Sequence, residues 1–377
     1  MRIAIDYTPA IRQGAGIGRY TRSLVSALAG RLSDGEELVL WHTRDAEPED
    51  PPSLANDRVQ LRRVPLPERV LTGAWHRLHA PFRLEHLIGS VDVVHGPDFV
   101  IPPTSAPAVV TIHDLSYIVT PEYAHPALRR YLMQAVPRAL ERAAGIVAVS
   151  ETTASDLVEH YNAPRERITV IPNGVDPRFH PPSQEEIRRV HAKLEVRRPY
   201  FLTVGTIEPR KNHRTLLEAF AQVYAAFPEA SLLIVGRHGW LADPIVAEID
   251  AAARRLPVRL LSRIDDRLLP GLYAGSTALV YPSWYEGFGL PVVEAMASGA
   301  AVITSDHGAL AEVAGDAALL VSAGDADKLA EQMCRVLEDT ALREDLVQRG
   351  RARAAQFTWE AAADAHLALY RRVMAER

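Results

Sequence analysis

The feature that most limits the fold of this chain is a rhythm: short Val/Ile-rich runs recur along it, separated by amphipathic helical stretches. RIAIDY (2–7), LVLWH (38–42), VQLRRV (59–64), VDVVHG (91–96), AVVTIHD (108–114), GIVAVS (145–150) and ITVIPNG (168–174) read as strands. Between several of them lie stretches such as GRYTRSLVSALAGRL and HPALRRYLMQAVPRALERAA, each apolar on one helical face. Near-continuous apolar strands separated by helices predict a parallel sheet covered on both faces. The rhythm breaks around Pro172, Pro177, Pro181 and Pro182. It resumes with YFLTVG (200–205), SLLIVG (231–236), VRLLS (258–262), ALVYPS (278–283), AVITS (301–305) and AALLVS (317–322). The pattern predicts an α/β fold of two doubly wound parallel-sheet domains in tandem, residues 1–178 and 199–356, joined by a linker over 179–198. The final stretch, 357–377, is amphipathic with no strand after it, and is expected to complete the first domain.

Composition excludes several classes. A chain of 377 residues exceeds one comfortable core and suits two domains. A formal net charge of -5 carries no nucleic-acid footprint. The single cysteine, Cys334, rules out an intrachain disulfide, and its neighbours Leu329, Met333 and Leu337 at helical spacing mark it as a packed thiol. The N-terminus reads as a strand and not a signal peptide, and no run approaches the roughly 18–20 apolar residues of a transmembrane helix. A cytoplasmic enzyme is the expectation.

In such sheets ligands bind beyond the carboxyl ends of the strands, and two facing domains would share one cleft there. The first strand is followed by Gly14, Gly16 and Gly18 ahead of a helix; this spacing is either a phosphate-approaching turn or a surface loop. His113 and Asp114 end a strand, where a histidine is structural or catalytic with equal reason. Ser150 reads as a helix N-cap. After Gly205, the stretch EPRKN places Arg210 and Lys211 at a strand-to-helix junction suited to a diphosphate. Lys211 is one of only three lysines among 42 basic residues, so a compact point charge was selected there over arginine. EGFGLPVVEAMASG (286–299) repeats the strand-turn-helix logic: Pro291 suits the first helical turn and Gly299 the residue after the last. Glu294 lies about one turn inside a mainly apolar helix and needs a partner. Asp325 and Asp327 form a D-x-D ahead of a helix, which reads as capping; no metal is assigned.

Taken together, EGFGLPVVEAMASG, GAGIGRY, TIHDL, VSETTASDL, VIPNGVD, VGTIEPRKN and GALAEVAGDAALLV resemble the retaining glycosyltransferases of family 4, over nearly the whole chain. The resemblance implies the GT-B fold: two Rossmann-like domains facing a central cleft, the first taking the acceptor and the second a nucleotide-sugar donor. It implies that Arg210 and Lys211 neutralise the donor diphosphate, that Glu286 hydrogen-bonds the sugar hydroxyls and that Glu294 holds the ribose. His113 would contact the sugar, while Gly16, Gly205 and the backbone N–H groups of Phe288, Gly289 and Leu290 would approach sugar or phosphates. Arg263 and Ile264 would border the base. No cofactor or metal is implied beyond the nucleotide sugar.

The closest pattern within the family is that of bacterial mannosyl- and hexosyltransferases of surface-polysaccharide synthesis. GDP-mannose is therefore the leading donor, with a UDP-hexose as the alternative, and the acceptor is a glycan or a lipid-linked saccharide. Arg58, Arg62, Arg63, Arg69, Arg77, Arg83, Arg129, Arg130, Arg138 and Arg142 make parts of the first domain basic. They suit either a peripheral contact with an anionic membrane or ordinary solvated helix faces. Three other classes compete: a glycoside hydrolase using Glu286 and Glu294, a nucleotide-sugar epimerase, and a non-catalytic nucleotide-sugar sensor.

Overall fold

A computed structural model describes residues 1–14, 16–46, 57–78, 80 and 82–376, the side chains of His76 and Arg77 excepted. Arg77 as a basic side chain and the terminal Arg377 thus lie outside the described residues. All thirteen apolar runs named above form strands: eleven are trimmed by a residue or more, VQLRRV keeps its bounds, and LVLWH gains one residue at each end. They divide between two compact units: residues Met1–Leu115, Pro126–Gly174 and Thr358–Arg377, and residues Ser116–His125 and Val175–Phe357.

The N-terminal unit holds a seven-stranded sheet of β1 (Arg2–Asp6), β2 (Glu37–Thr43), β3 (Val59–Val64), β4 (Val93–Gly96), β5 (Ala108–Ile112), β6 (Gly145–Ala148) and β7 (Ile168–Val170). Its order is β3-β2-β1-β4-β5-β6-β7 and every pairing is parallel. The second unit holds β8 (Tyr200–Val204), β9 (Ser231–Val235), β10 (Val258–Leu261), β11 (Ala278–Tyr281), β12 (Val302–Ser305) and β13 (Leu319–Val321), ordered β10-β9-β8-β11-β12-β13 and again parallel. β1, β5 and β8 are apolar through most of their length because helices cover both faces of each sheet. Each order reverses once, between β1 and β4 and between β8 and β11. Loops leaving the carboxyl ends of those strands diverge, and open the crevice where such sheets bind ligands.

The C-terminal helix Trp359–Ala375 belongs to the first unit and packs on the helix Ile17–Ala29. A buried hydrogen-bond chain locks it in place, and one carbonyl fixes its direction. Ala362 O can only accept, so His366 donates through Nδ1 (2.7 Å) and accepts at Nε2 from the Tyr20 hydroxyl (3.0 Å). Tyr20 then accepts from Thr111 (3.0 Å), Thr111 from His95 Nε2–H (2.8 Å), and His95 Nδ1 from Tyr370 (2.7 Å). Every proton is assigned, and both histidines are neutral.

Two boundaries differ from the sequence expectation. Residues 179–198, expected as a linker, contain the helix Gln184–Leu194, closed by a capping box of Ser183 and Glu186. Its apolar stripe is short, with only Ile187 and Val190 buried, so the neighbouring prolines masked it. Residues Ser116–His125 leave the first unit for the second, where Trp240 donates its indole N–H to Tyr123 O at 2.7 Å.

Candidate active site

In the second unit the two loops that flank the strand-order reversal meet. β8 runs into Gly205, and a 3-10 turn, Pro209–Lys211, presents Arg210 and Lys211 ahead of the helix His213–Ala226. β11 runs into the loop carrying Tyr285 and Glu286, which ends at Gly289 and the helix Leu290–Ser298. The Trp284 N–H donates to Arg210 O at 2.9 Å, and Asn212, in the left-handed conformation, donates its amide to Pro282 O at 3.0 Å. These cross-loop bonds set the two segments side by side.

The side chains then close into a buried ionic cluster. Arg210 donates through Nη1 to Glu286 Oε2 (2.8 Å) and Tyr285 O (2.6 Å), and through Nη2 to Glu208 Oε1 (2.8 Å). Lys211 Nζ donates to Glu286 Oε1 (2.5 Å) and to the Tyr281 hydroxyl (2.7 Å), which itself donates to Glu286 Oε1 (3.1 Å). Glu208 is 1% exposed, and Arg210 and Glu286 are each 9% exposed. Burial alone would raise the Glu286 carboxyl, but the charges and hydrogen bonds of Arg210 and Lys211 outweigh it and hold the group at about 2. Burial would likewise lower Lys211, and the Glu286 carboxylate reverses this and drives the ammonium up. The four ionised groups balance, two cations against two carboxylates. A Cβ on Gly205 would lie 3.6 Å from Lys211 Cε and 3.8 Å from Tyr281, so this glycine forms a wall of the cluster.

Further along the same loop, Gly289 holds φ +102°, and a Cβ there would meet Leu310 Cδ2 at 2.6 Å. Phe288 is buried with its ring edge-on to Phe357, at 5.5 Å between centroids, so its backbone faces the loop while its side chain fills the core. Glu294 is 1% exposed and has the partner its setting demanded: the Tyr273 hydroxyl donates to its Oε2 at 3.2 Å. Arg263 and Ile264 follow β10 at the sheet edge, two strands from β8. Asp325 caps the helix Ala326–Glu338 by accepting the Lys328 N–H, and Ser150 caps Glu151–Tyr161, as their positions predicted.

The first unit has its own polar group at the carboxyl edge of its sheet. His113 follows β5, and its Nε2–H donates to Pro97 O at 2.7 Å, which leaves Nδ1 with the lone pair. Burial lowers its pKa to about 4, so the ring is neutral. The Tyr20 ring packs on it edge-on at 4.7 Å. Asp6 ends β1 and accepts the Thr8 N–H at 2.9 Å; Asp98 follows β4 and accepts from the Gln13 amide at 3.0 Å. Burial raises them to about 7 and about 6 respectively. Gly16 stands at φ +53° as the N-cap of Ile17–Ala29, with open space where a Cβ would be. Sequence reasoning passed over Glu208, Tyr281, Asp6 and Asp98. Each sits at or just after a strand's carboxyl end, the one signal that could have marked them.

Comparison with known proteins decides the family. A model described as Glycosyltransferase Family 4 matches residues 14–179, and one described as Glycosyl transferases group 1 matches residues 183–353. The O-antigen chain mannosyltransferase B of Escherichia coli is 35% identical, over 96% of this chain and 97% of the relative. The chain belongs to glycosyltransferase family 4. Among solved structures, sucrose-phosphate synthase from Thermosynechococcus elongatus superposes with a TM-score of 0.78 at 25% identity, covering 100% of both chains. Anabaena HepE, solved with UDP and glucose, superposes at 0.75 with 19% identity, covering 97% of this chain and 98% of its own. This glycosyltransferase thus has the GT-B fold, and its enzymatic class is hexosyl transfer. Among its described residues no helix is long and apolar enough to cross a membrane.

Proposed function

We propose that this glycosyltransferase moves a mannosyl group from GDP-mannose to a glycan or lipid-linked acceptor, with retention at the anomeric carbon and no metal in the step. The observation that carries the reading is the buried cluster of Glu208, Arg210, Lys211 and Glu286 at the strand-order reversal of the second unit. Two cations fixed in a low-dielectric site stabilise charge that develops on a departing diphosphate far more than solvated ones would. The N-terminus of Leu290–Ser298 adds its dipole from the adjoining loop.

In this mechanism the anomeric C–O bond to the diphosphate breaks first, leaving oxocarbenium character on the sugar and negative charge on the phosphate held by Arg210 and Lys211. The acceptor hydroxyl attacks from the face the diphosphate leaves, and its proton passes to the departing phosphate. Glu286 accepts hydrogen bonds from the sugar hydroxyls, and Glu294 from the ribose. Gly205 leaves room beside Lys211 for the diphosphate, and the backbone N–H groups of Phe288, Gly289 and Leu290 close over sugar and phosphates. Arg263 and Ile264 border the base. In the N-terminal unit, Gly16 approaches the phosphates, and His113 is neutral with Nδ1 as its acceptor, suited to a sugar hydroxyl. The mannosyl choice is supported by the name of the Escherichia coli relative. A peripheral membrane contact on the cytoplasmic face is supported by Val70 and Leu78, both apolar and exposed, on the segment between Arg69 and Arg83.

Thermal stabilisation by GDP-mannose, UDP-glucose, GDP and UDP tests the donor, followed by slow donor hydrolysis. Stabilisation by UDP-glucose alone overturns GDP-mannose. Lys211→Ala is expected to lose at least about a hundredfold in turnover while the protein stays folded; near-normal turnover sinks the catalytic assignment.

A further inference from the structure

The N-terminal unit contains a cavity of about 470 Å3 that the transfer mechanism leaves unused, within the roughly 300–1,000 Å3 of small-molecule sites. Thr104 on its wall stands just before β5, and Arg142 just before β6, so this wall lies toward the amino-terminal edge of the sheet. Ligands of the transfer belong at the opposite, carboxyl edge, which His113 marks. The floor is apolar: Trp75, Ile101, Ala135 and Ala139 are each 4% exposed or less. Trp75 has its polar atom and its ring committed. Its indole N–H donates to Phe82 O at 3.0 Å, and its ring meets Trp41 at 6.2 Å and Phe82 at 5.3 Å. Such a floor receives hydrocarbon, not a base or a sugar. The wall is cationic, with Arg83, Arg138 and Arg142 against one carboxylate, Glu141. Arg142 donates through Nη2 to Pro102 O at 2.8 Å, and neither it nor Arg83 is ion-paired among the described residues. Burial lowers the Arg142 pKa below the ordinary arginine value, as expected of a guanidinium partly withdrawn from water with no anion to answer it.

We propose that this cavity is a second binding site, which takes a single phosphate-bearing amphiphile: the arginines hold the phosphate and the floor buries the start of its hydrocarbon chain. The proposal goes beyond the donor reading and does not rest on it, since no residue of the second unit takes part. Guanidinium groups offer forked N–H donors that match phosphate oxygens. Each methylene buried on the floor adds about fourfold in affinity. Free phosphate shares the head but leaves the floor empty, and a neutral alcohol fills the floor but leaves Arg142 unanswered. Leu78, between Trp75 and Ala80 in the chain, is 81% exposed and extends the apolar surface of the segment that lines the cavity.

Geranyl phosphate, inorganic phosphate and geraniol, titrated by calorimetry into the full chain, test the site. Geranyl phosphate is expected to bind at least about a hundredfold more tightly than inorganic phosphate and about tenfold more tightly than geraniol. The double variant Arg83→Gln, Arg142→Gln is expected to weaken geranyl phosphate at least about tenfold and to leave geraniol unchanged. Should that variant not fold, Arg83→Gln alone takes its place, because Arg83 carries no share of the bond to Pro102 O. Equal affinity for geranyl and inorganic phosphate, or geranyl phosphate binding that the variants do not alter, overturns the proposal. So does a wild type that binds no geranyl phosphate but floats with phosphatidylglycerol vesicles through these arginines, since they then meet a membrane surface and not a single molecule.

Discussion

Asp6 offers a test of the electrostatics of the N-terminal unit, because replacing it should make the protein more stable. The carboxylate ends β1, half-buried, and accepts one backbone N–H from Thr8 at 2.9 Å. Burial, with Asp98 and Glu68 adding like charge, raises its pKa from 3.8 to about 7. The folded state therefore holds this proton more tightly than the unfolded chain. The resulting penalty is absent below pH 3.8, grows as pH rises, and levels off above the folded pKa. At about 1.4 kcal/mol per pH unit, it comes to about 2 kcal/mol at pH 5 and about 4 kcal/mol at pH 8. Asp6→Asn keeps an oxygen for the Thr8 N–H and removes the charge. The variant is expected to exceed wild type by about 2–4 kcal/mol at pH 8, with that advantage shrinking by about 2 kcal/mol at pH 5. Urea unfolding of both proteins at the two pH values, followed by circular dichroism and tryptophan fluorescence, measures it. Asp98 titrates in both proteins and largely cancels. A variant weaker than wild type at pH 8, or a difference that does not change with pH, refutes the reasoning.

Two further substitutions follow from the same geometry. His113 and His366 are lowered by burial to about 4, and burial lowers His95 as well, so the stability they confer is complete above about pH 6.5 and lost as pH falls toward 4. His366→Gln is expected to weaken the protein at pH 7 yet flatten its decline between pH 7 and pH 5 by about 2 kcal/mol, read by the same unfolding series. Gly289→Ala puts a methyl group 2.6 Å from Leu310 Cδ2 at φ +102°, and is expected to destabilise the second unit by about 1–3 kcal/mol and weaken nucleotide binding, checked by thermal shift with and without donor.

How much was legible in the sequence follows from the range of each interaction. The strands were readable because their apolar runs are local and both faces are covered, so no alternation confuses the pattern. Pro291, Gly299, Ser150 and Asp325 were readable because caps and turns act within four residues. The helix Gln184–Leu194 was hidden because its buried stripe amounts to two residues beside three prolines. The chain from Tyr370 through His95, Thr111 and Tyr20 to His366 was hidden for the opposite reason: its first and last links span 275 and 346 positions. Nothing in the text of the chain marks those hydroxyls and imidazoles as partners.

The ionic cluster falls between these cases, and the difference matters for function. From the sequence, Arg210 and Lys211 read as two cations waiting for a diphosphate, and Glu286 as a clamp for sugar. The structure brings these side chains together, and that mutual engagement was invisible in the sequence, since Glu286 lies 75 positions from Lys211 and Glu208 was hidden inside a motif read for its basic residues. A cationic pair left open would attract any phosphate in the cell, including the reaction's own spent nucleotide. A pair closed by Glu286 and Glu208 presents balanced charge, so an incoming diphosphate meets fixed hydrogen-bond donors and not a bare cationic field.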